Sequence, residues 1–368
     1  MTRIDLDIKR PNKCVTSLGS GFIALDLVEG SSKVFPAVGG SCGNVVSILA
    51  WLGWNSKIAG RLRCDVAGRF IKDELEQLGV DVSDLALEEK GVSPIVIQKF
   101  VEDKEGGRTH RFSLTCPDCK GWLPRYRAMT RKHASPVIEK GHCPNLYYFD
   151  RANPATLKLA RWAHEGGALI VFEPQSVPEE RYFEEAIDLC HVLKYASDRL
   201  GHIPDLGEAQ SPKMIVKTQG DEGLSVRWNG RWVKYSAFVP PVFKDAAGSG
   251  DWCTAGIIHQ LGQSGADAFT SHSKSDIGQA LRFGQALAAV NCGFEGARGA
   301  MSALNHKSFN KVLRSLSSNR SDTAIDWPVD ENITPDLPTG LCFSCSGDLL
   351  KKHVNKGTRA TARPTEKF

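Results

Sequence analysis

The sequence predicts an α/β fold in which a mostly parallel β-sheet is covered by helices on both faces. Residues 146–149 and 168–172 form short, continuous apolar runs, and residues 214–218 begin with one (Met-Ile-Val), each segment having the length of a strand. Segments with helical periodicity lie between these runs. A strand that is buried on both faces has a continuous apolar sequence instead of an alternating one. This order of elements therefore indicates a sheet with a helical layer on each side.

The N-terminal part of the chain shows the same alternation, since apolar residues there recur either in short runs or at helical spacing. Glycine follows both of the helical segments and ends them. The predicted elements are a strand end over residues 21–26 that finishes at Asp26, a helix over 45–52, a short strand over 57–60 and a helix over 71–78. Two further helices are predicted near the C-terminus, at about 252–261 and 276–291.

Two β hairpins interrupt the α/β pattern. The β-rich runs 95–101 and 108–112 flank the polar turn 103–107, which predicts a hairpin inserted at about residues 93–113. An inserted hairpin is a candidate lid over a binding site. The second hairpin is predicted around Asn229-Gly230, because this dipeptide favours the type I′ turn that joins adjacent strands.

Composition and charge exclude several classes of protein. Of the 368 residues, 41% are hydrophobic and 24% are charged, which is ordinary for a globular chain. A net charge of +4 is too small to indicate a nucleic-acid or membrane partner. No apolar run is long enough to cross a bilayer, and the N-terminus lacks the apolar region of a signal peptide. We therefore expect a cytoplasmic protein without a membrane partner.

The chain changes character near its C-terminus, which predicts one main domain over residues 15–316 and an extension over 317–368. The extension is polar, contains scattered prolines and ends in a basic, apolar-poor segment, so we expect part of it to be disordered. A basic tail is also found in nucleic-acid-binding proteins. No aromatic residue that could stack on bases interleaves these charges, so a nucleic-acid partner is not expected.

The turn formed by residues 245–251 is the most informative stretch for function. It reads Asp-Ala-Ala-Gly-Ser-Gly-Asp and leads directly into an apolar helix. Small residues let backbone N–H groups converge, and the helix start adds partial positive charge, so the turn is suited to bind an anion such as phosphate. Asp251 stands where a carboxylate could accept the proton of an attacking hydroxyl. The alternative is that Asp251 is only a helix cap.

This turn resembles the C-terminal signature of the ribokinase-like, or PfkB, carbohydrate kinases, which reads D-T-x-G-A-G-D before a helix. Four positions match, while Ala246 and Ser249 replace a threonine and an alanine: the matching residues are Asp245, Gly248, Gly250 and Asp251. The resemblance implies that Asp251 is the catalytic base. It also implies that the backbone of Ala247, Gly248, Ser249 and Gly250 forms the anion hole for the γ-phosphate.

Two further segments resemble the same family. A Gly-Gly pair followed four residues later by Asn is similar to the N-terminal signature, which implies that Gly39, Gly40, Asn44 and the preceding Asp26 bind substrate hydroxyls. The segment 216–223 resembles a strand and loop that contact the nucleotide. The residues implied to bind ATP are Thr218, Gly220, Gly223, Asp245 and Asn291. The family's N-x-x-E element is not intact, and Asp198 is the nearest acidic substitute.

The resemblance implies a ribokinase-like three-layer α/β/α domain with a small β-sheet lid. The implied activity is transfer of the γ-phosphate of ATP, with Mg²⁺, to a hydroxyl of a sugar or nucleoside. The alternative function is a catalytically silent relative that binds a sugar or nucleotide as a regulator. Because the edge of a lid hairpin can pair with a second copy, a homodimer through the lid is also predicted.

The eleven cysteines do not indicate a disulfide framework, since their number is odd and the chain is large. Two C-x-x-C pairs stand out, because such a pair often supplies half of a tetrahedral zinc site. They are Cys116 with Cys119, directly after the predicted lid hairpin, and Cys342 with Cys345, in the extension. A zinc ion bound by all four would attach the extension to the lid. The alternatives are unrelated thiols, or a site that uses His133, His142 or Cys143.

Overall fold

The computed structural model describes residues 5–30, 34–102, 108–177, 179–200, 212–317 and 341–342. The extension predicted for residues 317–368 lies outside the described residues except at 317 and 341–342, so its boundary stays a prediction. The strands, in chain order, are β1 (Thr16–Ser20), β2 (Ala24–Glu29), β3 (Val34–Gly39), β4 (Asn55–Arg63), β5 (Asp81–Glu88), β6 (Ile95–Glu102), β7 (Arg108–Ser113), β8 (Leu146–Phe149), β9 (Leu169–Phe172), β10 (Val192–Ala196), β11 (Met214–Thr218), β12 (Leu224–Trp228) and β13 (Arg231–Tyr235).

The helices cover both faces of the larger sheet. They are α1 (Ser41–Trp51), α2 (Val66–Gln77), α3 (Arg131–Glu139), α4 (Pro154–Glu165), α5 (Glu180–Leu189), α6 (Ser249–Leu261), α7 (Gly265–Thr270), α8 (Lys274–Asn291), α9 (Gly299–Ala303) and α10 (His306–Ser317). Within the described part of the chain, no helix combines the length and the apolarity that crossing a bilayer requires.

Nine of the described strands form the main sheet, in the order β13-β12-β11-β10-β9-β8-β1-β4-β5. The strands from β11 through β5 in this order are mutually parallel, and only β12 and β13 run antiparallel. Because these strands run in the same direction, their carboxyl ends all lie at one edge of the sheet. The predicted mostly parallel sheet is therefore confirmed.

Alternate residues of the central strands pack against opposite helical layers. In β8, Tyr148 contributes to a core shared with α1, α2, α6, α8 and α10. Its neighbours Tyr147 and Phe149 contribute to the other core, which includes α3, α4 and α5. All four residues of β8 are buried, as a strand covered on both faces requires. The predicted three-layer α/β/α arrangement is confirmed.

A second, four-stranded sheet has the order β3-β2-β6-β7. The predicted hairpin is confirmed as β6 and β7, which pair antiparallel. The sequence did not indicate that β2 and β3 complete this small sheet. The prediction that a first strand ends at Asp26 is wrong, because Asp26 lies inside β2. The chain leaves β1 at Gly21, whose φ of 151° favours glycine, and the apolar residues after Gly21 lead into β2 instead of extending β1.

The second predicted hairpin is also confirmed. Strands β12 and β13 pair antiparallel and are joined by Asn229 and Gly230. Both of these residues have positive φ angles, 49° and 75°, as a type I′ turn requires. The local sequence was sufficient here, since the turn type depends on the two residues that form it.

Candidate active site

Several of the predicted site residues meet where the carboxyl edge of the main sheet faces the N-termini of α1 and α6. Asp150 directly follows β8, and Glu173 directly follows β9. Asn44 and Asp251 lie in the first turns of α1 and α6, and Asn44 Nδ2 donates a 2.7 Å hydrogen bond to Asp251 Oδ2. In open α/β sheets, ligands bind at this edge. The arrangement therefore brings two distant sequence motifs to one place.

Helices α1 and α6 start without a side-chain cap. Their N-cap residues are Gly40 and Gly248, which have no side chain to accept the first N–H groups. By contrast, the three helices α2, α4 and α8 are capped by the side chains of Asp65, Asn153 and Ser273. The uncapped N–H groups and the positive end of each helix dipole favour an anion at these two helix starts.

The turn before α6 depends on glycine at position 248. Gly248 has a φ of 70°, a left-handed conformation that other residues adopt only with strain. A Cβ at this position would lie 2.3 Å from the carbonyl oxygen of Ala297. Both the conformation and the close backbone approach therefore exclude a side chain here. The binding of a phosphate by this turn stays a prediction.

Asp245 and Asn291 hold this turn in place through hydrogen bonds to its backbone. Asp245 is buried, and its two carboxylate oxygens accept hydrogen bonds from the backbone N–H groups of Ala247 at 2.6 Å and Gly296 at 2.7 Å. Asn291 is also buried, donates to the Ala247 carbonyl at 3.0 Å and accepts from the Ala300 N–H at 3.2 Å. Their side chains thus bond to the backbone of the turn and of the loop before α9, and they position these segments.

The carboxyl group of Asp251 is buried and has a raised pKa. Desolvation and the nearby Glu173 carboxylate raise the pKa of Asp251 to about 7, against the opposing effects of Asn44 and Lys194. The N-cap of α6 is Gly248, so Asp251 is not the cap residue. Its carboxylate instead binds the side chain of Asn44. The helix-cap interpretation of Asp251 is therefore wrong.

Arg298 fixes the orientation of the Asn44 side chain. Arg298 Nη1 donates to Asn44 Oδ1 at 2.7 Å, while Nη2 forms an ion pair with Glu74 Oε1 at 2.8 Å. Because a guanidinium can only donate, the oxygen of the Asn44 amide must face Arg298. The NH₂ group of Asn44 must then face Asp251, where it donates to the carboxylate. The contacts from Glu74 through Arg298 and Asn44 to Asp251 therefore fix the orientations of the Asn44 and Asp251 side chains.

A buried ion pair lies beside the anion-binding turn. Lys194 Nζ contacts Glu173 Oε1 at 2.5 Å, and both side chains are almost fully buried. Glu173 Oε2 accepts hydrogen bonds from the Thr254 hydroxyl at 2.7 Å and the Tyr148 hydroxyl at 3.2 Å. A Cβ built on Gly250 would lie 3.8 Å from Lys194 Nζ. A buried ammonium group thus stands next to the turn.

Asp26, Gly39 and Gly40 form the side of the site that belongs to the small sheet. Desolvation raises the pKa of Asp26 to about 7, with further upward contributions from Asp251 and Glu74. A Cβ on Gly39 would lie 2.0 Å from Asp26 Oδ2, so glycine leaves the space that this carboxylate occupies. Gly40 has a φ of 81° and starts α1.

The predicted nucleotide-binding residues lie at the same edge of the main sheet, further along it. Thr218 is the last residue of β11, which pairs in parallel with β10. Gly220 and Gly223 bound the short turn to β12, and both have positive φ angles, 59° and 101°. The turn therefore follows the strand next to Lys194, on the side away from the small sheet. Their contact with a nucleotide stays a prediction.

Sequence reasoning missed three charged residues of the site: Glu173, Lys194 and Arg298. A signal for the first two was present, because a charged residue in or next to an apolar strand is rarely buried without a partner. Lys194 lies within β10, directly after the buried residues Val192 and Leu193. The partner itself was not readable, since Glu173 belongs to a different strand. Arg298 gave no local signal.

The chain is similar to known sugar kinases over most of its length. No protein-family model matches it. It is 24% identical over 319 residues to a fructokinase of Salmonella typhimurium, which covers 80% of this chain and 97% of that protein. It is 25% identical over 272 residues to an ATP-dependent ribose-1-phosphate kinase of Halopiger xanaduensis, which covers 72% of this chain and 83% of that protein.

Solved structures show the same fold. The fructokinase of Xylella fastidiosa with bound ATP superposes with a TM-score of 0.64 at 17% identity, over 82% of this chain and 99% of that one. The aminoimidazole riboside kinase of Salmonella enterica, in complex with aminoimidazole riboside and an ATP analogue, gives a TM-score of 0.60 at 19% identity, over 81% and 99%. The chain therefore has the ribokinase-like α/β fold of sugar and nucleoside kinases, and the relatives that it resembles are phosphotransferases acting on hydroxyl groups.

Proposed function

We propose that this protein is an ATP-dependent kinase that phosphorylates a hydroxyl of a sugar or nucleoside, with Asp251 as the general base. The observation that carries the proposal is the Asp251 carboxylate itself. It has a pKa raised to about 7, is held by Asn44, and lies one residue after a glycine turn that is shaped for an anion. The similarity to sugar and nucleoside kinases supports the same activity.

In the proposed reaction, a substrate hydroxyl attacks the γ-phosphorus of ATP. Its proton passes to Asp251 as the new oxygen–phosphorus bond forms, and the bond to the β-phosphate oxygen breaks to release ADP. The N–H groups of Gly248 and Gly250 bind the negative charge of the transferred group, whereas those of Ala247 and Ser249 donate to Asp245 Oδ1 and to the Ala246 carbonyl within the turn. Preorganised donors of this kind supply much of the acceleration, because they need no rearrangement during the reaction.

Lys194 is placed to neutralise charge on the transferred phosphoryl group. Desolvation alone would lower the pKa of Lys194, but the neighbouring Glu173 carboxylate raises it above its usual value. The ammonium group therefore stays protonated at physiological pH. Because it is held by the ion pair, it does not have to move into position when ATP binds.

The substrate and the nucleotide occupy opposite sides of Asp251 in this proposal. Substrate hydroxyls bind Asp26 and Asn44, and approach the backbone of Gly39 and Gly40 closely. ATP lies toward β11 and the turn that follows it, where Thr218, Gly220 and Gly223 contact it. Asp245 and Asn291 act on ATP through the turn that they position.

Magnesium supplies positive charge to the phosphates when it is bound with ATP. This ion keeps several waters and needs only one or two protein carboxylates, so a small donor set fits it. Glu173 is already engaged by Lys194, Thr254 and Tyr148. The carboxylate proposed to contact the ion or its waters is Asp198, exposed in the turn after β10.

Release of ADP from Mg-ATP, measured against a panel of sugars, sugar phosphates and nucleosides, tests the activity. We expect one class of compound to stimulate ADP release well above the rate without substrate. If ATP or a panel compound binds tightly and no compound stimulates release, the protein is a binding regulator, and the kinase proposal fails.

The pH dependence of the reaction tests the role of Asp251 separately. A base must be deprotonated to accept a proton, so kcat/KM should fall at low pH and rise through the pKa of about 7. Between pH 8 and pH 6 this predicts a decrease of about tenfold. Asp26 titrates in the same range, so the midpoint alone does not assign the group.

Two variants identify the group that titrates near pH 7. Glu173 raises the pKa of Asp251 and Lys194 lowers it, whereas neither is among the groups that shift Asp26. We expect Glu173→Gln to move the midpoint to lower pH and Lys194→Met to move it to higher pH. A midpoint that stays unchanged in both variants would assign the titration to another group and remove the evidence for Asp251 as the base.

Replacement of Gly39 tests the substrate side. In Gly39→Ala, the added methyl group would overlap the Asp26 carboxylate and displace it. Loss of one charged hydrogen bond costs roughly 1.5–3 kcal/mol, so we expect KM for the acceptor to rise by about tenfold or more, with a smaller change in KM for ATP. The control is Gly43→Ala, whose methyl group meets only the side chains of Val38 and Ile23, at 3.1 and 3.7 Å. An unchanged acceptor KM in Gly39→Ala would contradict the assignment of Asp26.

The predicted homodimer through the lid is compatible with the small sheet, whose outer strands are β3 and β7. An edge strand offers unpaired backbone groups to a second copy. The mass of the protein in solution, measured by light scattering, tests this part of the proposal. A monomer at all concentrations up to those of the activity assay would remove it.

A further inference from the structure

Three cysteine thiols that are far apart in the sequence converge outside the site described above. The sulfur atoms of Cys116, Cys119 and Cys342 all lie within 4.8 Å of one another. Cys119 Sγ and Cys342 Sγ are 3.7 Å apart. The two C-x-x-C pairs predicted that these segments share a metal site. The fold brings Cys342 to the first pair.

The spacing of the sulfur atoms fits a metal site better than a disulfide. Four thiolates bound tetrahedrally to zinc, each at about 2.3 Å, have sulfur atoms about 3.8 Å apart. Sulfur atoms joined in a disulfide are separated by only about 2.05 Å. The distance between Cys119 and Cys342 therefore matches one edge of a zinc–thiolate tetrahedron.

The first pair of cysteines lies in a tight turn that presents both sulfurs on one side. The Cys116 N–H donates to the Gly121 carbonyl at 2.8 Å, and the Lys120 N–H donates to the Cys116 carbonyl at 3.0 Å. Lys120 adopts a positive φ of 61° to close the turn. The two thiols are therefore held on one short, hydrogen-bonded turn.

The second segment is inserted into the protein at this point. Leu341 and Cys342 are only 4% and 1% exposed, and both belong to the same core as Cys116 and Leu123. Cys345, three residues further on, lies outside the described residues, so its role as a fourth ligand stays a prediction from spacing. His133 does not compete, because its two ring nitrogens contact Thr130 and Glu88.

We propose that the thiolates of Cys116, Cys119 and Cys342 bind one structural zinc ion. Binding replaces the thiol protons, which are released to solvent. The turn that carries the first two ligands directly follows β7. The residue after it, Pro124, accepts a 3.1 Å hydrogen bond from Ile95 at the start of β6. The ion thus attaches the C-terminal segment to the base of the small sheet.

Zinc at this place would also order one wall of a neighbouring cavity. Trp122 and Leu123, which end the cysteine turn, line a cavity of about 590 Å³. Trp122 is 59% exposed, and it pairs with Thr115 across the turn. A metal–thiolate site adds order to such a short turn.

Metal analysis of the full-length protein, purified under reducing conditions without added metal, tests the proposal. We expect about one zinc per chain that survives dialysis. The ion should be lost or reduced severalfold in Cys116→Ser and Cys342→Ser, and retained in Cys14→Ser, an exposed cysteine outside the cluster. Cys116 and Cys342 are buried, so their replacement can also disturb folding. Cys119 is exposed, so Cys119→Ser is the variant with the least risk to folding.

Cobalt provides a readout that does not depend on activity or on co-purified metal. Protein stripped of metal and reduced should take up one Co²⁺ and show the absorption of tetrahedral cobalt together with thiolate-to-cobalt charge transfer. The charge-transfer band should be weaker in Cys119→Ser. Absence of zinc in the parent together with absence of this spectrum would overturn the proposal. Unchanged zinc content in Cys342→Ser would do the same.

Discussion

Asp251→Asn should reduce kcat for phosphoryl transfer by about 10²–10⁴-fold, the range contributed by a general base. Asparagine has nearly the same shape, and its oxygen can still accept the hydrogen bond from Asn44. It cannot accept the proton of the attacking hydroxyl. ADP release under saturating conditions measures the loss. Calorimetry should show that ATP and the acceptor still bind.

The melting temperature separates loss of the base from loss of the fold. Desolvation disfavours the charged form of Asp251, so a neutral residue at this position removes an electrostatic cost above pH 7. We therefore expect Asp251→Asn to be at least as stable as the parent at pH 8. The matched control is Asp276→Asn, an exposed aspartate in the first turn of α8, which should keep full activity. A kcat for Asp251→Asn within a few-fold of the parent would exclude Asp251 as the base.

Gly248→Ala should abolish most of the activity by a different route. Alanine in the left-handed conformation costs about 1–2 kcal/mol, and its Cβ would lie 2.3 Å from the Ala297 carbonyl oxygen. The turn must shift, so the N–H groups that face the phosphate lose their alignment. Loss of one such donor typically costs about 10²–10³-fold in kcat. We expect a decrease of at least that size.

Gly141→Ala is the control for backbone strain. Gly141 also has a positive φ, 74°, but an added Cβ would meet no atom within 4 Å. Both variants should therefore lose stability in thermal unfolding, with the greater loss in Gly248→Ala. Only Gly248→Ala should lose activity. If it stays folded and keeps the parental kcat, the turn does not bind the transferred phosphoryl group.

Local sequence was enough for the elements whose conformation depends on neighbouring residues. The buried strand β8 was evident because all four of its residues are apolar. The turn at Asn229 and Gly230 was evident because those residues tolerate positive φ. The break between β1 and β2 was not evident, because the apolar residues after Gly21 are compatible with either the end of a first strand or the start of a second one. Only the pairing partners of a strand decide which sheet it joins.

The site residues also divide into those that the local sequence indicated and those that only the fold brings together. The glycines and Asp251 were readable because a phosphate-binding turn needs small residues in sequence order. The pairs from Lys194 to Glu173 and from Arg298 to Asn44 were not readable, since each joins side chains from separate elements. Charged groups are stabilised in the interior by partners that the fold supplies.

The fold class, the two hairpins and the short motifs that contain the proposed base and the proposed anion-binding turn could be predicted from the amino-acid sequence. These features follow from periodicity and from local backbone conformation, which neighbouring residues set. The tertiary structure alone decided that Asn44 binds Asp251, that a buried ammonium stands beside the turn, and that Cys119 meets Cys342. Each of these contacts joins residues distant in the chain, and only the packing of the whole sheet and its helices brings such residues together.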